Sequence, residues 1–229
     1  DHHTIQYSPK IGTILQAGTH SIFAIFAPPA HCKNRGYSNR IELKITVLKS
    51  TPTLEWFNPN PIIYGAPLEE TQQNAKVIGP IYFSSGHFDY KQSPGTILPV
   101  GKHRLSTTFI PDNSVSLNTV NANVSLDVYK ATPVINWDLA LSLVPSKYQL
   151  KTSDLSAQCL DHNGKKIDGI WTYIPKSGES VGSVGQRELT VEFNLRGKAL
   201  KNYNKPKVLR KKIKVMPADL SSTGVATYT

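Results

Sequence analysis

The sequence predicts an all-β fold of tandem β-sandwich domains, of which the first is partial. Short segments of alternating apolar and polar residues are separated by glycine and proline turns, the pattern of half-buried strands. The same turn residues also return after 83 positions, which indicates copies of one domain in series. The matched pairs are Gly12 and Gly95, Gly18 and Gly101, His20 and His103, and Phe26 and Phe109.

The repeat divides the chain into four parts. These are the C-terminal half of a first domain at 1–49, a second domain at 50–130, a divergent third domain at 131–217, and a linker or tail at 218–229. Each joint carries a Thr-Pro pair followed by an aromatic residue. Pro52 with Trp56 and Pro133 with Trp137 mark the two joints, 81 positions apart. We expect these tryptophans to pack within or between domains rather than to form a sugar-binding platform.

The first domain has only its last strands in this sequence, so we expect the chain to be a fragment of a longer protein. A half-sandwich leaves its core face open to water. That face could be completed by upstream sequence, by another chain, or by docking on the second repeat.

Composition narrows the class of protein further. The chain has 229 residues, of which 39% are hydrophobic, enough for two to three globular domains rather than a disordered segment. No window has the roughly 20 continuous apolar residues that a membrane-spanning helix needs. The two cysteines, Cys32 and Cys159, fall in different repeats at positions that do not match, so no disulfide framework exists within the domains.

The turn residues also carry a family resemblance. They resemble the bacterial immunoglobulin-like repeats of large surface proteins, especially the MBG-type group, whose repeated line has the form Y-x-P-x-x-G-T-x-L-x-A-G-x-H-x-L-x-A-x-F-x-P and closes with K-A-T-P. The second repeat matches at Tyr90, Pro94, Gly95, Thr96, Leu98, Gly101, His103, Leu105, Phe109, Pro111, Asp112 and Lys130-Ala131-Thr132-Pro133. The first repeat matches at Tyr7, Pro9, Gly12, Thr13, Leu15, Ala17, Gly18, His20, Phe26 and Pro28.

The resemblance implies immunoglobulin-like sandwiches arranged as a rod of modules, in an adhesin or other protein that is secreted or held at the bacterial cell surface. The third repeat departs from the pattern at two places. Arg187 stands where the histidine is expected, and Ser177-Gly178-Glu179 replaces the Gly-Thr pair.

The two recurring histidines, His20 and His103, do not have the surroundings of a chemical site. No cysteine, aspartate, glutamate or second histidine keeps a constant distance from both His20 and His103, as a metal or acid–base site would require. We expect each ring instead to hold a strand start by donating to a backbone carbonyl. No nucleophile motif or phosphate-binding loop is present either, so the sequence predicts no enzyme, no catalytic residue, no metal and no cofactor.

Charge is concentrated in the third domain. The formal net charge is +10, and residues 131–217 hold fifteen basic and seven acidic residues. Residues 196–214 are basic without a single acid. If 207–216 is a strand, Leu209, Ile213 and Val215 face the core, while Arg210, Lys212 and Lys214 face water. The candidate binding residues are Lys201, Lys205, Arg210, Lys212 and Lys214.

This basic run leaves two functions open. It could bind an anionic glycan, a membrane surface or a host protein, as an adhesive module or a secreted effector would. Alternatively, it is a solvated sheet edge that lysines protect from aggregation, within a segment that serves as spacer or adhesive rod beside neighbouring repeats of the same chain. Nucleic acid is not favoured, because Tyr203 alone interleaves with the charges.

Overall fold

The computed structural model describes residues 4–27, 39–79 and 85–217, so Cys32 and the expected 218–229 linker lie outside it. It is 50% strand and 4% helix, which confirms the all-β prediction. The chain forms two compact units, one from 1–59, 70–93 and 104–125 and the other from 60–69, 94–103 and 126–229. Their boundaries cut through the second repeat, so the domain limits expected from the sequence remain a prediction.

The first repeat contributes one antiparallel sheet to the described chain. Its strands are β1 (Thr4–Ser8), β2 (Gly18–Ala27) and β3 (Asn39–Val47), in the order β1-β2-β3. Tyr7 and Ile41 both lie opposite Ala24, so alternate residues of all three strands share one apolar face.

The second repeat divides its strands between two sheets. The strands are β4 (Thr53–Glu55), β5 (Ile62–Ile63), β6 (Lys76–Ile78), β7 (Gly86–Tyr90), β8 (Gly101–Pro111) and β9 (Val120–Tyr129). β4 pairs with β6, and the other four form a sheet in the order β5-β9-β8-β7. β5 runs parallel to β9, with Ile62 opposite Val128. This is an immunoglobulin-like arrangement, in which an early strand joins the sheet of the last strand.

The third repeat has the same topology. Its strands are β10 (Val134–Asn136), β11 (Leu143–Pro145), β12 (Gln158–Leu160), β13 (Gly169–Ile174), β14 (Gly185–Leu195) and β15 (Leu209–Met216), with a 3-10 turn at Thr152–Asp154 and a short helix α1 (Lys198–Asn202). β10 pairs with β12, and the second sheet has the order β11-β15-β14-β13 with β11 parallel to β15.

Both sheets of the third repeat contribute to one core. Ile135 and Cys159 come from one sheet, and Leu189, Phe193 and Ile213 come from the other. Burial raises the pKa of the Cys159 thiol to about 11, so it stays protonated at neutral pH and acts as a small apolar core residue.

The turn glycines keep one backbone conformation in all three repeats. Gly12, Gly95 and Gly178 have φ values of +86°, +83° and +82°, in the left-handed region where other residues are strained. Gly95 N–H donates to Leu68 O at 2.8 Å, and Gly178 N–H donates to Leu150 O at the same distance. The third repeat therefore keeps the turn even though its Gly-Thr pair is absent.

The strand start after this turn is held by one long side chain in each repeat. The His20 ring donates Nε2–H to Gln16 O at 2.6 Å, and the His103 ring donates to Pro99 O at 2.7 Å. In the third repeat the Nε–H of Arg187 donates to a carbonyl four residues back, at 2.8 Å. The arginine that breaks the sequence pattern therefore replaces the histidine's hydrogen bond.

The two joint tryptophans pack inside their own repeats. Trp56 and Trp137 each donate Nε1–H to a backbone carbonyl, at 3.1 and 2.9 Å. Each ring also makes an edge contact with a tyrosine, Tyr90 at 5.6 Å and Tyr173 at 5.7 Å between ring centroids. Trp137 is buried and Trp56 is half-buried, so each ring packs within its own repeat.

The side chain at position 103 gives a direct test of the strand-start contact. We expect His103→Ala to lower the free energy of unfolding by about 1 kcal/mol, because one hydrogen bond to a carbonyl is lost. His103→Arg should retain most of that stability, because Arg187 makes the same contact in the third repeat. Chemical denaturation of both variants measures this. Equal losses for alanine and arginine would contradict the assigned role.

Candidate functional site

At the joint between the first and second repeats, the first residues of the second repeat are hydrogen-bonded to the loop that joins β8 to β9. Ser50 N–H donates to Ser116 O at 2.9 Å, and Asn118 N–H donates back to Ser50 O at 2.8 Å. Two side chains extend this exchange. Asn118 Nδ2 donates to Thr51 Oγ1 at 2.9 Å, and Ser116 Oγ accepts from Ala17 N–H at 3.0 Å.

The joint between the second and third repeats has the same set of bonds, made by the loop that joins β14 to β15. Ala131 N–H donates to Asn202 O at 3.2 Å, and Asn204 N–H donates to Ala131 O at 2.8 Å. Asn204 Nδ2 donates to Thr132 Oγ1 at 3.0 Å, and Asn202 Oδ1 accepts from Val100 N–H at 3.2 Å. Each contact has its counterpart in the first joint.

We call Ser116–Asn118 and Asn202–Asn204 the joint triplets. Their middle residues, Leu117 and Tyr203, are buried. The sequence analysis missed both triplets, because they lie 86 positions apart while the strands repeat at 83. The signal that could have found them is an asparagine two residues after a serine or asparagine, in the loop before the last strand.

Tyr203 links its triplet to the rest of the joint. Its ring makes an edge contact with Tyr64, 5.2 Å between centroids, and its hydroxyl donates to Asp161 Oδ2 at 3.1 Å. Burial, and then the neighbouring carboxylate, raise the pKa of Tyr203 to about 12. Burial alone would raise the pKa of Asp161, but N–H groups of Lys165 and Asn163 and the tyrosine hydroxyl lower it. At neutral pH the pair is therefore a neutral phenol donating to a carboxylate.

The tight turn after Asp161 also lies against the second repeat. Asn163 Nδ2 donates to Gly65 O at 3.2 Å. Gly65 has a φ of +96°, and a Cβ placed on it would lie 2.6 Å from His162 Cε1. Close approach of the turn therefore depends on the missing side chain at position 65.

The expected basic strand has the predicted alternation. Arg210, Lys212 and Lys214 are exposed on β15, while Ile213 and Val215 are buried. Successive exposed cations are about 7 Å apart along the strand. Of the other candidate residues, Lys201 is exposed in α1 and Lys205 is exposed in the segment that follows it.

Acidic residues of β14 partly neutralise this face. Lys205 Nζ lies 2.5 Å from Glu192 Oε1, and Arg210 Nη1 lies 3.7 Å from Glu188 Oε1. Glu188 is also directly opposite Lys212. Both ion pairs are solvent-exposed, so each contributes about 0 to 1 kcal/mol to stability. Residues 196–214 contain no acid, but strand pairing brings the carboxylates of Glu188 and Glu192 next to this basic run.

The sheet-edge interpretation of β15 applies to only part of the strand. β15 lies between β14 and β11, but β11 pairs only with Lys214–Met216, so among the described residues Leu209–Ile213 pair with β14 alone. The cations of β15 form an exposed charged face, and β13 and β11 are the outer strands of this sheet.

Within the described ranges, no group of three or more histidine, cysteine, aspartate or glutamate residues could hold a metal ion. The same part of the chain contains no helix long and apolar enough to cross a membrane.

The sequence matches no protein-family model and no curated protein. Similar solved structures include fibronectin(III)-like modules of Clostridium thermocellum CbhA, at 12% identity over 74% of this chain and 96% of that one, with a TM-score of 0.25. Another is Drosophila N-cadherin EC1-4, at 11% identity over 95% of this chain and 67% of that one, with a TM-score of 0.31.

The glycine of the second joint can be tested by substitution. We expect Gly65→Ala to lower the free energy of unfolding by about 1 to 3 kcal/mol. The alanine would have to keep a left-handed φ, and its Cβ would collide with the His162 ring. In a His162→Ala background the same change should cost less, because only the backbone strain remains. A double-mutant cycle by chemical denaturation measures the difference. The same cost in both backgrounds would show that the turn does not press on Gly65.

Proposed function

We propose that the chain is a non-catalytic segment of immunoglobulin-like repeats, of the MBG type, from a bacterial surface or secreted protein, and that it acts as an adhesive rod or spacer. The motif shared with bacterial surface repeats supports the class of protein and its extracellular location. The recurrence of one hydrogen-bond set at both joints supports the spacer role. The repeats would be expected at 1–49, 50–130 and 131–217.

The joint contacts are the observation that carries this proposal. Neighbouring domains joined by a simple linker are expected to move relative to each other. A spacer that transmits force or holds a distance needs a joint with a defined geometry. Ser50 and Ala131, the first residues of their repeats, each exchange two backbone hydrogen bonds with the joint triplet of the same repeat. The side chains of Ser116 and Asn202 in those triplets accept an N–H from the preceding repeat, at Ala17 and Val100, and so connect the two repeats.

An anionic partner is a second candidate function, favoured by the exposed cations of β15. Lys214 lies opposite Gln186, so it has no carboxylate directly across the sheet, and Lys212 and Lys214 remain solvent-exposed. Such a face would attract a sulfated glycan or an anionic membrane surface with an affinity that falls as salt rises. This role is compatible with the rod and would make it adhesive.

The second joint provides a test of the spacer proposal. Asn202→Ala removes the acceptor of Val100 N–H, whereas Asn202→Asp keeps an oxygen there. We expect the alanine variant to broaden the distance distribution between spin labels at exposed positions 102 and 176, and the aspartate variant to leave it narrow. Electron spin resonance on chains in which Cys32 and Cys159 are replaced measures both. An equally broad distribution in the unmodified joint would contradict the spacer role.

The anionic-partner proposal is tested on the whole chain with heparin and with anionic vesicles. We expect retention at low salt that is lost at about 0.2 M salt. Lys212→Glu with Lys214→Glu should abolish it, because the exposed cations of β15 become acids. The matched control, Lys91→Glu with Lys102→Glu, makes the same charge change on the second repeat and should retain binding. Equal losses in both double variants would mean that net charge, rather than this face, determines retention.

A further inference from the structure

The third repeat has two neighbouring hollows in its surface, one of which reaches the outer strand β13. The larger has a volume of about 580 Å³ and the smaller about 460 Å³, within the usual range of small-molecule sites. Thr152 and Ser177 line both hollows, and their hydroxyl oxygens lie 3.3 Å apart. One ligand can therefore occupy both hollows and meet this hydroxyl pair at their junction.

Each hollow has aromatic side chains in its wall. Tyr148 lines the larger hollow, and Trp171 and Tyr173 line the smaller one, all of them half-buried. The Trp171 ring packs on Phe193, 4.4 Å between centroids. The Tyr148 hydroxyl donates to Asp154 Oδ2 at 2.9 Å. Aromatic rings held in place in this way offer a surface to the apolar face of a sugar ring.

The charged side chains in the walls are lysines. Lys147 and Lys151 line the larger hollow and Lys176 lines the smaller one, and all three are exposed. The carboxylates of Asp154 and Glu179 lie outside the linings and accept backbone N–H groups, of Lys151 at 2.8 Å and of Lys176 at 2.7 Å. In the part of the chain that the structure describes, both ion pairs join other cations to β14. The three ammonium groups can therefore pair with an anionic ligand.

The second repeat has the same turn without these side chains. Leu68 and Leu150 are equivalent, since each exchanges two backbone hydrogen bonds with the turn at Gly95 or at Gly178. This match fixes the alignment of the residues around the hollows. The aligned pairs, with the second repeat first, are Gly65 and Lys147, Ala66 and Tyr148, Glu69 and Lys151, Phe88 and Trp171, and Ser93 and Lys176. The third repeat therefore places three cations, a tyrosine and a tryptophan on a turn that folds without them.

Lys147 is held in a strained backbone conformation. Its φ is +69°, and among the described residues it alone combines a side chain with a positive φ. The equivalent Gly65 has a φ of +96°, which glycine adopts without strain. A lysine in this conformation is less stable than a glycine, so the lysine side chain is expected to have a role other than folding.

We propose that the two hollows form a binding site for an acidic sugar, with one ring of an oligosaccharide in each hollow. The aromatic side chains contact the apolar faces of the rings. Thr152 and Ser177 hydrogen-bond to sugar hydroxyls near the linkage, and the three lysines bind carboxylate or sulfate groups through charge-assisted hydrogen bonds. A neutral sugar would leave the lysines without partners, and an inorganic anion would leave the aromatic walls uncovered. The combination therefore selects a saccharide that carries acid groups.

This site is separate from the basic face of β15. β14 lies between β13 and β15, and the three lysines of the hollows lie outside β15. The inference therefore depends neither on the spacer proposal nor on binding by the β15 cations. Failure of one of these proposals leaves the others standing.

The test measures binding of short sugars to the whole chain by calorimetry. The probes are a hyaluronan tetrasaccharide with carboxylates, a chondroitin sulfate tetrasaccharide with carboxylates and sulfates, and neutral chitotetraose. We expect an acidic probe to bind at one site per chain, and chitotetraose to bind about tenfold more weakly or less. In nuclear magnetic resonance spectra the Trp171 indole N–H and the Thr152 amide should shift, and the amides of β15 should not. Binding by neither acidic probe, or equal binding of the neutral one, would overturn the inference.

The decisive variant carries the second-repeat residues at the three lysine positions, as Lys147→Gly, Lys151→Glu and Lys176→Ser. We expect its affinity for the acidic probe to fall about tenfold or more. Its unfolding midpoint should not fall, because the second repeat folds with these residues and glycine relieves the strain at position 147. This separates loss of binding from loss of folding.

The matched control is Lys212→Glu with Lys214→Glu on β15. It changes the net charge of the chain by the same amount as the triple variant, because lysine to glutamate counts twice as much as lysine to a neutral residue. We expect the control to retain its affinity for the tetrasaccharide. Equal losses in both variants would assign binding to net charge, and full binding by the triple variant would assign it to another surface. Either result would overturn the inference.

Discussion

A reciprocal pair of backbone hydrogen bonds at each joint is the contact on which the structure of the joint depends. Ser50 and Ala131, the first residues of the second and third repeats, each donate an N–H to the joint triplet of their own repeat and accept an N–H from it. Backbone polar groups that are removed from water need partners, so the start of a repeat and the loop before its last strand satisfy each other. Because the contact uses main-chain atoms, serine and alanine serve equally well at this position. The triplet held in this way then accepts an N–H of the preceding repeat, at Ala17 or Val100.

The third repeat keeps its fold although its sequence differs, because its contacts also tolerate different residue types. Arg187 makes the hydrogen bond of a histidine, and Gly178 supplies the left-handed turn although its neighbours differ. At the joint, Asn202 replaces Ser116 as the side-chain acceptor. In each case the geometry is retained while the residue type changes, so sequence identity between repeats understates their structural likeness.

Local signals made most of the fold predictable. Alternation located the strands β8, β9, β14 and β15, and the recurring glycines located the turns between them, because both depend on residues close in sequence. The position of β15 inside its sheet was not predictable, since it depends on pairing with β11 far along the chain. The carboxylates of Glu188 and Glu192 were missed for the same reason. They approach the basic run only across the sheet.

The exposed face of these sheets is where the repeats are free to differ. Arg210 of the third repeat corresponds to Asn123 of the second, and Glu188 corresponds to Arg104. In the second repeat Arg104 Nε donates to Asn123 Oδ1 at 2.9 Å, so one charge meets a neutral amide. In the third, the same two positions hold an ion pair. The buried face accepts only residues that fit the core. On the solvent face, a neutral polar pair can be replaced by an ion pair with little change in stability. Differences in binding between repeats are therefore expected on this face, and the joints and cores can remain constant while it changes.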